Sequence, residues 1–361
     1  MIKTITQHFF SLKSCLNPIA HKAIISGFVL LSFLARAQTT TITVPGQTRP
    51  RTIFVHAPAN LAQNRPLVIS MHGLNQDINY QKGQAKWELV ADTARFVVVY
   101  PAGENNSWDI GGTKDTDFIS AIIESMVTRY GIDRNRVYVS GFSMGGMMSY
   151  NAANKIANKI AAIGPVSGYL FSNVAASSRP MPIIHVHGTA DDVVRYQASG
   201  NQQGVVAMLQ KWRTWNQCPA TGTRTTPYPI NRPNSKSVME YWSPCKNSAV
   251  QLVILDGKGH WHSNDDAGVH TTKEIWAFFK KHTLKTVTTG MEEDEQETFF
   301  LFPNPSQDGY FYLSLVTNWQ VHNALGELLL KGNENSINLT DYPAGFYFLE
   351  TKYGIQKLIR R

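Results

Sequence analysis

A serine between glycines separates a β-rich run from a helical run. The segment GFSMGG (residues 141–146) follows the β-rich residues 136–140 and opens a helical stretch. On so tight a turn the serine backbone is strained, and Gly141 and Gly145 lack the side chains that would clash as strand and helix approach. The Ser143 hydroxyl would stand beside the helix N-terminus, where developing negative charge is favoured. The pattern predicts a nucleophile. A glycine-rich turn with a capping serine is the alternative.

The surrounding chain alternates short β-rich runs with helical stretches from about residue 40 to residue 285. This alternation is typical of an α/β fold with a mostly parallel sheet, and the 43% of apolar residues can fill its core. Predicted strands cover residues 52–56, 66–71, 96–100, 136–140, 161–165, 182–186 and 251–255. Predicted helices cover residues 117–130, 144–156, 205–215 and 272–282.

A serine hydroxyl needs a base, and the base needs a group that orients it. The strand at 182–186 runs into HGTADD, and the strand at 251–255 runs into GKGHWH. These turns place an acid and then a histidine after later strands, in the chain order of a hydrolase site. We therefore expect Asp191 and His260 to serve Ser143. Spacing does not choose between Asp191 and Asp192, and Asp191 could instead cap the following segment.

A metal site is a second interpretation of the same turns. Period-two histidines with nearby acids could be ligands: His185 and His187, His260 and His262, and Asp265 and Asp266. The serine turn and the chain order account for these residues without a metal. We therefore predict no metal and no cofactor.

Acyl transfer also requires two N–H groups for the negative oxygen of the tetrahedral intermediate. One is normally that of the residue after the nucleophile, here Met144. The other comes from the loop after an early strand, and HGLNQ (residues 72–76) follows the strand at 66–71. The Leu74 N–H is the candidate, and an ordinary strand-end turn is the alternative.

The first 37 residues have the pattern of a signal peptide. A basic front part precedes an apolar stretch at 24–35, too short for a stable membrane anchor, and small residues at 35 and 37 suit cleavage after Ala37. An uncleaved anchor or a buried helix is the alternative. No other segment is apolar for long enough to span a membrane. The net charge is +8, but the chain has no clustered run of Lys and Arg, so a nucleic-acid surface is not expected.

Export bears on the cysteines. Cleavage would remove Cys15 and leave Cys218 and Cys245. An even pair in an exported chain favours a disulfide, and two free buried thiols are the alternative.

Composition shifts near residue 285. Residues 286–298 are rich in Thr and then in acids, which indicates a solvated linker between a domain at 38–285 and a second unit at 299–361. Short β segments at 310–315, 328–330, 346–350 and 356–359 predict a small antiparallel β sandwich there.

The motifs HGLNQ, GFSMGG, HGTADDVV and GKGH together resemble carbohydrate esterase family one in the broad sense. This group contains feruloyl and acetylxylan esterases and polyhydroxybutyrate depolymerases with the α/β-hydrolase fold. The resemblance spans about residues 40–285. It puts the family's serine on Ser143, its acid on Asp191 and its histidine on His260, and it also implies the Cys218–Cys245 disulfide.

The resemblance implies a secreted carboxylic ester hydrolase acting on a plant cell-wall polysaccharide ester or a polyester. Feruloyl, acetyl and 3-hydroxybutyryl groups all stay open. The family often has tryptophan two places after its histidine, whereas this chain has Trp261 and then His262. Trp108 and Trp261 are candidates for lining the substrate, and plain core aromatics are the alternative.

The tail resembles a type IX secretion sorting domain. The resemblance rests on PNPS (303–306), Gly309, the GE pair (326–327), YPAGFY (342–347) and the basic end at 357–361. It implies the type IX secretion machinery as a partner and a secreted or cell-surface protein. A carbohydrate-binding β module is the rival interpretation, and exposed aromatic stripes would favour it.

Two rival functions stay open for the whole chain. A serine peptidase of the prolyl-oligopeptidase type shares fold and triad, but it usually carries a large accessory domain, and none fits before residue 40. The other rival is a non-catalytic glycan-binding surface protein with a relic site.

Overall fold

The computed structural model describes residues 36–172, 175–265, 268–284, 301–313 and 316–361. The chain divides into two compact units, one ending at Thr286 and one beginning at Val287. Residues 1–35 of the predicted signal peptide and the whole predicted linker lie outside the described residues.

One ten-stranded sheet runs through the first unit. Its strands are β1 (Arg36–Ile42), β2 (Arg51–Ala57), β3 (Arg65–Met71), β4 (Val97–Pro101), β5 (Ile132–Phe142), β6 (Ala162–Val166), β7 (Ile183–Gly188), β8 (Thr223–Thr225), β9 (Val238–Cys245) and β10 (Ser248–Leu255). They lie in the order β1-β2-β4-β3-β5-β6-β7-β10-β9-β8. The run from β4 to β10 is parallel, and the strands outside it pair antiparallel. The predicted mostly parallel sheet is confirmed.

Helices cover both faces of this sheet. They are α1 (Ile78–Ala85), α2 (Trp87–Ala94), α3 (Lys114–Tyr130), α4 (Met144–Lys155), α5 (Val205–Trp215) and α6 (Thr271–Phe279). Alternate strand residues face two separate cores: Val139 of β5 packs with α3, α4 and α5, whereas Tyr138 packs with α2 and α6. Burial on both faces explains why the central strands are continuous Val/Ile runs.

Helix α3 shows how the sequence sets its own boundaries. Asp115 and Asp117 lie in its first turn, where they complement the positive end of the helix dipole. The helix ends where Gly131 adopts a left-handed conformation with φ 57°, which glycine does without strain. Its apolar stripe then enters the core.

Cys218 and Cys245 form a disulfide, as predicted. It joins the chain after α5 to the end of β9. Among the described residues, no helix is both long and apolar enough to cross a bilayer.

The second unit contains two antiparallel sheets. Its strands are β11 (Leu301–Phe302), β12 (Tyr310–Leu313), β13 (Trp319–His322), β14 (Leu328–Gly332), β15 (Ser336–Asn338), β16 (Gly345–Thr351) and β17 (Gly354–Arg360). The sheets β11-β12-β15 and β14-β13-β16-β17 share one apolar core, so the tail is the all-β unit that the sequence predicted. The last two residues of the predicted 310–315 strand lie outside the described residues.

Aromatic side chains also point outward from this unit. Tyr310 and Tyr312 on β12 are 39% and 45% exposed, and Phe346 and Phe348 on β16 are 54% and 39% exposed. Such pairs are what the carbohydrate-binding alternative requires. The assignment of the tail therefore stays a prediction.

Candidate active site

Ser143 lies on the tight turn between β5 and α4. Its backbone has φ 53° and ψ −117°, a strained conformation for a residue with a side chain. A Cβ on Gly141 would overlap the Gly145 backbone and lie 2.8 Å from its Cα. A Cβ on Gly145 would in turn lie 2.7 Å from the carbonyl oxygen of His72. Both glycines are therefore required for the close approach that the sequence predicted.

Three predicted side chains meet at the carboxyl ends of the parallel strands β5, β7 and β10. His260 Nε2 lies 2.9 Å from Ser143 Oγ, and His260 Nδ1 lies 2.8 Å from Asp191 Oδ2. The His260 ring packs against Phe142 with ring centroids 4.9 Å apart. The structure thus holds an alcohol, an imidazole and a carboxylate in series.

The geometry distinguishes the two neighbouring acids. The Asp191 side chain is fully buried, whereas Asp192 is exposed. Asp191 Oδ1 accepts hydrogen bonds from the N–H groups of Val193 (3.0 Å) and Val194 (2.9 Å), and Oδ2 contacts His260. Asp191 therefore caps its own turn and reaches the histidine as well.

Opposing effects act on the Asp191 carboxyl. Burial, the largest single effect, raises its pKa, but the neighbouring His187 and His260 imidazoles hold the pKa well below its usual range. The carboxylate is ionised at neutral pH. It can therefore fix the His260 tautomer and stabilise the imidazolium form.

The turn after β3 lies directly beside the nucleophile. A Cβ on Gly73 would lie 3.2 Å from Ser143 Cβ, and the Gly73 N–H donates to Gln76 Oε1 at 2.9 Å. His72 Nδ1 donates to the Gly73 carbonyl at 2.7 Å, while its Nε2 accepts from the Gly103 N–H at 2.9 Å. Burial lowers the pKa of His72, so the ring is neutral and its tautomer is fixed.

These contacts bear on the predicted N–H pair. Leu74 follows the anchored Gly73, and Met144 follows Ser143 on the first turn of α4. With the Gly73 N–H already bonded to a side chain, Leu74 is the next N–H along the turn. The role of the two N–H groups stays a prediction.

The two candidate tryptophans differ in exposure. Trp108 is 4% exposed, and its Nε1 donates to the His72 carbonyl at 2.8 Å. The core-aromatic alternative accounts for Trp108, which braces the turn and has little surface left for a substrate. Trp261 is 54% exposed next to His260, and it stays a candidate for substrate contact.

The histidine pairs of the metal interpretation lie in different surroundings. His185 contacts both His187 and Tyr150, whereas His262 Nε2 lies 2.9 Å from Thr272 Oγ1. Of the acids, Asp266 lies outside the described residues. Across the part of the chain that the structure describes, no group of three or more His, Cys, Asp or Glu side chains is arranged to hold a metal ion.

Comparison with known proteins identifies the fold. The family described as Phospholipase/Carboxylesterase matches residues 104–222. A solved acetyl xylan esterase from Aspergillus awamori superposes with a TM-score of 0.52 at 18% identity, over 67% of this chain and 99% of that one. The fold is that of the α/β-hydrolases. The C-terminal β unit is additional to it.

Named relatives of this chain are esterases. A bifunctional acetylxylan esterase/xylanase from Neocallimastix patriciarum is 45% identical over 237 residues, which are 65% of this chain and 34% of the relative. Feruloyl esterase D from Neurospora crassa is 27% identical over 293 residues, which are 77% of this chain and 97% of the relative. The chain thus spans about a third of the first relative's length.

The sequence reasoning missed Gly168 at this site and considered His187 only as a metal ligand. A Cβ on Gly168, which follows β6, would overlap the Ser143 carbonyl oxygen and lie 2.8 Å from the carbonyl carbon. His187 Nε2 lies 3.2 Å from Asp191 Oδ2. The second could have been suspected, because the histidine opens the HGTADD segment. Nothing in the sequence pointed to Gly168.

Proposed function

We propose that this protein is a secreted serine carboxylic ester hydrolase that removes acetyl or feruloyl groups from plant cell-wall polysaccharide. The observation that carries the proposal is the continuous contact from Ser143 through His260 to Asp191. The named esterase relatives support the ester chemistry. They also favour acetyl and feruloyl groups over 3-hydroxybutyryl polyesters.

In the proposed reaction, His260 Nε2 takes the hydroxyl proton of Ser143 as its oxygen attacks the ester carbonyl. Asp191 accepts the hydrogen bond from Nδ1 and stabilises the imidazolium that forms. The imidazolium then protonates the leaving alcohol, which leaves an acyl group on Ser143. Water, activated by the same imidazole, releases the carboxylic acid. No cofactor takes part in these steps.

Negative charge develops on the carbonyl oxygen during each attack. We assign the Met144 and Leu74 N–H groups to hold it, each contributing about 3 kcal/mol to lowering the barrier. The hydrogen bonds of His72 and Gln76 pre-organise the turn that presents Leu74. Trp261 would contact the substrate beside His260.

A substrate panel tests the proposal with the parent protein and Ser143→Ala. The panel contains p-nitrophenyl acetate, methyl ferulate, acetylated xylan, a 3-hydroxybutyrate oligomer and a prolyl peptide amide. We expect the parent to hydrolyse acetyl or feruloyl esters and the variant to lose this activity. Amide cleavage at comparable rates would favour the peptidase alternative. Glycan binding by a parent that hydrolyses nothing would favour the relic site.

For export, we propose that residues 1–37 are a signal peptide and residues 299–361 a type IX sorting domain. The PNPS opening and the basic terminus support this proposal, and the exposed aromatic pairs on β12 and β16 support the carbohydrate-binding alternative. In a host with that machinery, deletion of 299–361 should leave the protein in the periplasm. Retained secretion, together with lost adsorption to insoluble xylan, would instead support a carbohydrate-binding tail.

A further inference from the structure

A row of buried polar side chains lies behind Asp191, away from Ser143. Tyr150 of α4 places its hydroxyl 3.0 Å from His185 Nδ1, and His185 Nε2 lies 2.9 Å from His187 Nδ1. His187 Nε2 lies 2.7 Å from the Val194 carbonyl oxygen and 3.2 Å from Asp191 Oδ2. The hydrolysis mechanism uses none of these three side chains.

Hydrogen-bond chemistry gives this row one direction when each imidazole carries a single proton. The Val194 carbonyl can only accept, so His187 Nε2 carries a proton. Burial lowers the pKa of His185 well below its usual value and raises that of Tyr150, so the first ring is neutral and the phenol keeps its proton. Tyr150 then donates to His185 Nδ1, His185 Nε2 donates to His187 Nδ1, and His187 Nε2 donates to the Val194 carbonyl, with Asp191 Oδ2 3.2 Å away.

The row also holds in place the turn that carries Asp191. Val194 accepts from His187 through its carbonyl and donates its own N–H to Asp191 Oδ1 at 2.9 Å. The rings of Tyr169 and Tyr196 flank His187, each with its centroid 6.1 Å away. His187 therefore lies 3.2 Å from one carboxylate oxygen and holds the other through the backbone of Val194.

Polar rings in such a place are costly unless every donor and acceptor is paired. His185 and His187 are fully buried, and an apolar side chain there would need no chain of partners. The row ends at the carboxylate that contacts His260 and not at the surface. If the row positions the Asp191 carboxylate, both the place where the row ends and the direction of its hydrogen bonds are explained.

We propose that His187 is a positioning residue for Asp191, itself held in place by His185 and Tyr150, so that Asp191 Oδ2 stays aimed at His260. The inference rests on the proposed ester hydrolysis and names a part of that site that does not touch substrate. His260, His187 and Tyr169 are the titratable groups that face Asp191.

His187→Leu removes the donor, and His187→Gln keeps an N–H near the position of Nε2. On p-nitrophenyl acetate we expect the leucine variant to lose about ten- to hundredfold in kcat with little change in KM, since the buried donor that holds the turn of Asp191 is removed. Glutamine should recover most of this loss. The acid limb of kcat/KM should move to higher pH in His187→Leu, because a less satisfied carboxylate holds the His260 proton more tightly. A folded leucine variant with unchanged kcat and pH profile would overturn the proposal.

Tyr150→Phe tests the far end of the row even if His187→Leu does not fold. Tyr138→Phe is its matched control, since this buried tyrosine donates instead to the His282 carbonyl at 2.8 Å. We expect kcat to be several-fold lower in Tyr150→Phe and unchanged in the control. Equal activity of the two variants would contradict the role of the row.

Nitrogen NMR of histidine-labelled parent protein provides a readout that does not need activity. At neutral pH, His185 and His187 should both carry a single proton, on Nε2. A proton on either Nδ1 would overturn the assigned row. If the parent hydrolyses no ester but shows these tautomers, then the proposed function fails and the hydrogen-bond assignment stands.

Discussion

We expect the proposed ester hydrolysis to be sensitive to a single methyl group added at Gly168. An alanine there would place its Cβ 2.8 Å from the Ser143 carbonyl carbon, in overlap with the carbonyl oxygen. Carbon atoms pack at about 3.5–4.0 Å, so the two segments must separate by about 1 Å. A misplacement of about 1 Å at a reacting group costs about a hundredfold in rate, or about 2.7 kcal/mol of barrier. We therefore expect Gly168→Ala to lose about this much in kcat/KM.

The assay is p-nitrophenyl acetate hydrolysis, expressed per folded molecule after the folded fraction is measured by circular dichroism. Gly111→Ala is the matched control, because a Cβ at Gly111 meets nothing within 4 Å. The control should keep the activity of the parent. A folded Gly168→Ala variant with parental kcat/KM would refute the reasoning, since the serine would then tolerate the displacement.

Three further predictions concern the acid and the disulfide. Asp191→Asn should lower kcat about 10⁴-fold because it disturbs the His260 tautomer, whereas the exposed Asp192→Asn should change it little, and ester kinetics would compare them. Because the pKa of Asp191 is lower in the folded state, its stabilising contribution is complete above the unfolded-state pKa of about 3.9 and is lost as the pH falls toward the folded-state value. Urea unfolding should therefore show stability falling more steeply with acid in the parent than in Asp191→Asn, and identical slopes would contradict this. Replacing both Cys218 and Cys245 by serine should lower the free energy of unfolding by about 3 kcal/mol and abolish any effect of a reductant on the urea midpoint.

Ser143, Asp191 and His260 could be predicted to meet because each lies in a short motif at a strand end. The serine turn, the acid turn and the histidine turn each contain local glycines, and parallel strands bring their carboxyl ends to one edge. The choice of Asp191 over Asp192 needed the fold, because only burial and the turn of Val193 and Val194 distinguish the two carboxyls. Gly168 packs against Ser143, which is adjacent to it only in space, whereas His187 lies in the segment of Asp191 and only its hydrogen bonds needed the fold.

Elements were predicted where periodicity is strong and missed where it is weak. The central strands are continuous apolar runs, and α3 carries a regular apolar stripe. Helix α1 buries only Gln81 and Ala85, so its sequence carries little helical pattern. Strand β9 is half-covered and lies next to the short edge strand β8, and Pro244 lies near its end. Tertiary packing, not local pattern, stabilises these elements.

The meeting of three distant turns has a consequence for renaturation. The contact of Ser143 with His260 joins residues 117 apart in sequence, and that of His260 with Asp191 joins residues 69 apart. The base arrives only when β10 has docked beside β7, since β10 ends just before the histidine turn. A refolding chain that has formed the earlier parallel strands would still be inert. Recovery of the proposed ester hydrolysis would therefore report that the sheet is complete. Circular dichroism would already report most of the helices before that point.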